Sequence, residues 1–87
     1  MSPDQIKKIR EKIGLTQAEL AEILGVSGKV PISHYETGFR SPSLLTLAFL
    51  SLLNSLPEKK TKDLIELIRE HMKKVKRQQK DNGYGKN

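Results

Sequence analysis

The 87-residue chain contains no cysteine and no tryptophan, and its aromatic side chains are two phenylalanines and two tyrosines. Without cysteine, a disulfide framework and thiolate zinc sites are both excluded. Long apolar runs are missing as well. The longest, Leu44 to Leu53, is ten residues with Thr46 and Ser51 inside it, well short of the about 20 needed to cross a bilayer, and it reads as a helix buried on most sides. Met1-Ser2-Pro3-Asp4 begins polar, without the apolar core of a signal peptide, so the chain is expected in the cytoplasm. No internal repeat or β alternation is present. There is no histidine with a plausible Asp and Ser order and no glycine-rich phosphate loop, so neither an enzyme nor a cofactor is expected. Nor is a metal site, because His34 and His71 lie in different helices with no cysteine to help.

What the chain does have is positive charge, 16 Lys and Arg against 10 Asp and Glu, a net +6. Such a balance favours an acidic partner, either nucleic acid or an anionic membrane surface, and composition does not choose between them. A chain this short is one domain, and it buries only about 60–65% of the surface its unfolded form exposes. It must therefore pack efficiently or oligomerise.

Four prolines and several glycines divide the sequence into five helices. Ser2-Pro3-Asp4-Gln5 combines a capping hydroxyl, a first-position proline and a glutamine placed to reach back to the cap. The first helix follows to about Lys12, with Ile6, Ile9 and Ile13 on one face and Gly14 as its stop. Thr16-Gln17-Ala18-Glu19 is a second capping box, opening a helix through Leu24 that turns Leu20, Ala21 and Leu24 inward and ends at Gly25.

The third helix contains Ile32 to Thr37 and ends at Gly38. The fourth, from about Pro42 to Asn54, is capped by Ser41-Pro42-Ser43, and the fifth by Ser55-Leu56-Pro57-Glu58. In the fifth, Leu64, Ile65, Ile68, Met72 and Val75 form a helical stripe. Residues 1–56 thus form a core, 57–76 a C-terminal helix for packing, dimerisation or both, and 77–87 a flexible basic tail. Up to residue 57 the chain carries six basic and five acidic side chains, and from residue 58 ten and five. Bulk charge therefore does not locate a binding face in the core.

Residues 16–37 hold two short helices joined through Gly25-Val26-Ser27-Gly28. The residues Leu15-Thr16-Gln17, Leu20-Ala21, Leu24-Gly25-Val26-Ser27, Ile32-Ser33, Tyr35-Glu36, Gly38 and Pro42-Ser43 occur in an order that resembles the Cro/cI (XRE-like) family of helix-turn-helix transcriptional regulators. The resemblance covers about half of the chain. It implies an all-α, five-helix, lambda repressor-like DNA-binding domain whose second and third helices form the motif. Leu20, Leu24, Val26 and Ile32 make the apolar wedge between those helices, and small Ala21 sits at their crossing.

The turn departs from the family pattern. Four residues, Gly28, Lys29, Val30 and Pro31, separate Ser27 from Ile32, where relatives usually have three. With Ser27 as cap, Pro31 would conflict with the first intrahelical hydrogen bond. With Gly28 as cap, Lys29, Val30 and Pro31 fill the first turn, whose N–H groups have no intrahelical partner in any case.

In the family the start of this helix enters the major groove. The resemblance implies that Lys29, Val30, Ser33 and His34 read base edges, lysine on guanine, valine on a thymine methyl, and serine or imidazole by hydrogen bonding. It places Gln17, Arg40, Ser41 and Ser43 against phosphates, which fix register without carrying sequence information. Tyr35 belongs to the core, and Glu36 to a structural ion pair for which Arg10 is the candidate partner.

Leu64, Ile65, Ile68, Met72 and Val75 either cover the domain or pair two copies, since family members commonly bind two half-sites as symmetric dimers. The resemblance therefore points to a bacterial or phage-encoded regulator that binds double-stranded DNA as a homodimer. The alternative from another class is an antitoxin or coactivator-type module that holds a toxin or other protein partner through the last helix. A membrane partner fits less well, because the basic run His71 to Lys80 has neither an apolar stripe nor an aromatic anchor.

Overall fold

The computed structural model describes residues 1–81, with side chains through residue 78. Five helices follow one another: α1 (Pro3–Ile13), α2 (Gln17–Leu24), α3 (Lys29–Thr37), α4 (Leu44–Ser55) and α5 (Glu58–Asp81), with no strand among the described residues. Both anticipated capping boxes form. The Ser2 hydroxyl accepts from Gln5 N at 3.2 Å while Ser2 N donates to Gln5 Oε1 at 2.8 Å. Thr16 and Glu19 make the same reciprocal pair at 3.1 and 2.9 Å.

Helix α3 begins at Lys29 with Gly28 as its cap, so the longer turn is absorbed before the helix and Pro31 falls in the first turn. Gly28 sits at φ 156° and ψ −167°, a region that essentially only glycine occupies.

The helices close over two apolar clusters. In the first, Ile6 and Ile9 of α1 meet Leu20 and Ala21 of α2, Ile32 of α3 and Leu50 of α4, with Leu24, Val26 and Tyr35 packed around them. In the second, Ile23, Leu53 and Ile65 bring α5 onto α2 and α4. Ile13 and Leu15 touch both clusters and join them into one core. Leu20, Ile32, Leu50 and Leu53 are fully buried, each contributing about 1.5–3 kcal/mol relative to an exposed side chain.

Three boundaries differ from expectation. Helix α4 starts at Leu44, and its N-cap is Ser43, whose hydroxyl accepts from Thr46 N at 3.2 Å. Ser55 closes α4 instead of capping α5, because its hydroxyl donates back to Leu52 O at 2.9 Å. Helix α5 runs to Asp81, beyond the end expected at residue 76. Lys, Arg and Gln are good helix formers even after an apolar stripe has ended. The rest of the expected tail, 82–87, lies outside the described residues.

The expectation that the fourth helix is buried on most sides is overturned. Leu47, Leu50 and Leu53 face the core, but Leu44, Leu45 and Leu52 on the other side are 83, 79 and 46% exposed.

Candidate nucleic-acid interface

Helix α3 buries Ile32 and packs Tyr35 against the first cluster, and the side chain of Glu36 is only 4% exposed. Positions 32, 35 and 36 are one helical face at spacings of three and four. The opposite face is therefore Val30, Ser33, His34 and Thr37. Lys29, at the first helical position, is exposed on the flank, Val30 is 58% exposed, and Ser33 and His34 are half-buried. Three of the four anticipated base readers, Val30, Ser33 and His34, thus share the outward side of one helix, with Lys29 exposed on its flank.

Val30 and His34 line a shallow hollow together with Ser27 and Arg40. Arg40 is itself exposed, and its backbone N–H donates to His34 O at 3.2 Å. This places a cation at the C-terminal edge of the outward face.

Two residues on this surface were missed by sequence reasoning. Thr37 lies one turn beyond Ser33, and its hydroxyl donates back to His34 O at 3.4 Å. Phe39 is 72% exposed, and its ring meets the His34 imidazole at a centroid distance of 4.7 Å and an interplanar angle of 54°. That tilted arrangement is one that aromatic pairs favour. The available signal was an aromatic between Gly38 and Arg40 in a chain with so few of them.

Behind the face lies a polar cluster. Arg10 Nε donates to Glu36 Oε2 at 2.6 Å and its Nη2 to Oε1 at 3.2 Å, while its Nη1 donates to Leu15 O at 2.8 Å. This two-pronged contact between planar groups is the strong form of the interaction. Burial pushes the Glu36 carboxyl up, but the hydrogen bonds from Arg10 and Gln17 and the charges of Arg10 and Lys7 outweigh it, so the carboxyl stays below the usual glutamate range. The hydrogen bond to Glu36 in turn raises Arg10.

Gln17 belongs to the same cluster, and this alters its anticipated role. Its Nε2 donates to Glu36 Oε1 at 3.1 Å, so the half-buried side chain is tied to α3 and is not a free arm awaiting phosphate. Only the second Nε2 hydrogen is left to point outward. Ser43 is constrained similarly, since its hydroxyl caps α4 and donates to Thr46 Oγ1 at 3.1 Å. Ser41 and Arg40 remain open to solvent.

The anticipated dimerisation stripe divides in two. Ile65 is 5% exposed within the second cluster, and Leu64 and Ile68 pack against it, so Ile65 is corrected to a core residue with no face left for a partner. Val75, 48% exposed, lines an apolar groove with Ile68, His71 and half-buried Met72. The same helix is tied down by Thr61, buried with its hydroxyl donating to Leu53 O at 3.0 Å. Arg69 adds long ion pairs of 3.9 and 3.8 Å to Glu19 and Glu22 on α2. Among the described residues, no three His, Asp or Glu side chains gather to hold a metal ion, and no helix is long and apolar enough to cross a membrane.

A helix-turn-helix family model matches residues 6–53. Over 58 residues the chain is 40% identical to the antitoxin MqsA of Escherichia coli strain K12, an alignment covering 67% of this chain and 44% of that protein. The chain thus spans less than half the length of the curated relative it matches. No solved structure matches the chain.

Proposed function

Because the chain belongs to the XRE-like helix-turn-helix family and has its Cro/cI-like all-α fold, we propose that it is a sequence-specific, double-stranded-DNA-binding transcriptional regulator, a repressor or autoregulator that occupies an operator as a dimer. The observation that supports this reading is the outward face of α3. Val30, Ser33 and His34 stand on one side of a helix whose other side is anchored by Ile32, Tyr35 and Glu36.

In this reading α3 lies in the major groove. Lys29 donates to guanine O6 or N7, Val30 packs on a thymine methyl, and Ser33 and His34 hydrogen-bond base edges. Arg40, Ser41 and the remaining Gln17 hydrogen contact phosphates at either end, with Ser43 offering α4's first backbone N–H groups in place of its hydroxyl. The nearly neutral core supplies placed contacts, and the basic excess of α5 and beyond supplies salt-sensitive attraction. Selection from a random duplex pool tests this. The expected product is an enriched motif with two half-sites whose centres lie about one DNA turn apart, and a pool that stays random would sink the reading.

The identity with the antitoxin MqsA favours a second reading, an antitoxin-type module that also holds a protein partner. Its surface would be the apolar groove of Ile68, His71, Met72 and Val75 on α5. The gene beside this one discriminates the two readings, because an adjacent toxin gene supports the antitoxin and its absence favours the regulator alone.

A further inference from the structure

Helix α4 carries no charged residue along its length. A helix that is apolar all round is normally enclosed on every side. Here the chain encloses only one side. Leu47, Leu50 and Leu53 are taken up by the core, and Leu44, Leu45, Ala48 and Leu52 are left facing solvent. The spacings 44–48–52 and 45–48–52 put these four on one stripe, roughly 12 Å long at the helical rise. Scattered surface leucines are ordinary, but a contiguous apolar stripe opposite a helix's buried face marks a contact surface.

We propose that this stripe is the surface on which a second copy of the chain docks, with two α4 helices crossing about a two-fold axis near Ala48. Charge favours this occupant. Two chains of net charge +6 repel each other, and an uncharged seam brings them together without setting cation against cation. The other apolar surface, the Val75 groove on α5, has Lys76 in its lining, so self-pairing there brings two lysines towards one another. DNA is excluded as occupant, because the stripe offers phosphates no donor side chain.

Shape agrees with charge. The small Ala48 at the centre permits the helix axes to approach towards the near end of the ~8–10 Å packing range, and the leucines on either side interleave with their symmetry mates. A self-complementary patch of this kind gives a closed dimer and not a chain of copies. Three leucines and an alanine cover less than the roughly 800 Å² per partner of a standard interface, so the pair is weak and concentration-dependent. The inference refines the dimer in the reading above. Because the test uses no DNA, its failure and a failure of the DNA reading are distinguishable.

Sedimentation of the intact chain from micromolar to millimolar concentration is the first test, and the mass is expected to rise from one copy towards two. Leu45→Glu combined with Leu52→Glu, both at exposed positions and therefore compatible with the fold, is expected to weaken association at least tenfold with helix content unchanged. Val75→Glu is expected to leave it as it was. The absence of native cysteine permits a second test, in which Ala48→Cys cross-links two copies under mild oxidation and Val75→Cys does not. A chain that stays monomeric throughout overturns the proposal and leaves the stripe to an unlike partner. A dimer that survives the leucine substitutions, or one dissociated by Val75→Glu alone, overturns it as well.

Discussion

Replacing Glu36 with glutamine keeps the shape of the side chain and removes its charge. Arg10, only 12% exposed in its side chain, then loses the anion that receives two of its hydrogen bonds, and Gln17 loses the oxygen that holds it to α3. Breaking a buried ion pair from one side costs about 3–5 kcal/mol. The lower end applies here, because the amide oxygen still accepts one hydrogen bond and Arg10 keeps Leu15 O. Against a total stability of about 4–13 kcal/mol for a chain of this length, a loss of about 3 kcal/mol lowers Tm by roughly 12–24 °C. Thermal and urea melts of Glu36→Gln measure the loss. The double substitution Arg10→Met with Glu36→Leu is expected to recover most of it, since it removes both charges and keeps the volume.

Acid titration of the parent reports the same group. The folded carboxyl lies below the usual glutamate range, so its stabilising contribution is complete above that range and is lost as pH falls through the lower folded value. That acid-labile part is absent from Glu36→Gln. A Glu36→Gln melt within about 0.5 kcal/mol of the parent, the range of ordinary surface changes, would refute the claim that this cluster holds α1, α2 and α3 together.

Three further outcomes are expected. Arg40→Ala weakens binding to specific and scrambled duplexes alike and reduces the salt slope by about one, measured by titration at several salt concentrations. Thr61→Val leaves Leu53 O without its donor and lowers stability by about 1–3 kcal/mol, read as a shift in urea midpoint at unchanged m. Gly28→Ala has open space around the added methyl, so its cost, about 1–3 kcal/mol, comes from the backbone conformation alone. A melt distinguishes this from the near-neutral result expected if α3 could start elsewhere.

The fold was legible wherever a local rule acted alone. The capping boxes at Ser2 and Thr16 and the start of α3 at Lys29 follow from short-range hydrogen-bonding chemistry, and Pro31 forced the choice of Gly28 as cap. The Arg10–Glu36 pair was legible from the motif, but the recruitment of Gln17 into it was not, because that depends on how closely α2 and α3 approach. Ile23 was not foreseen in the core, since α5 supplies the surface that covers it. The open face of α4 was misread for a related reason. Its composition reports that the helix prefers enclosure and says nothing about which body encloses it. Phe39 acquires its place beside His34 only through the return of the chain after Gly38.

The central claim is that α3 reads sequence through its outward side chains. The most direct measurement is the affinity ratio between a selected operator duplex and its scrambled counterpart, across a range of salt, for the parent and for Val30→Ala, Ser33→Ala and His34→Ala. The parent is expected to discriminate at every salt concentration. Each substitution is expected to reduce the ratio by about 1–3 kcal/mol at its own base position while leaving affinity for scrambled DNA nearly unchanged. Equal affinity of the parent for both duplexes at every salt, or substitutions that weaken both equally, would contradict the account.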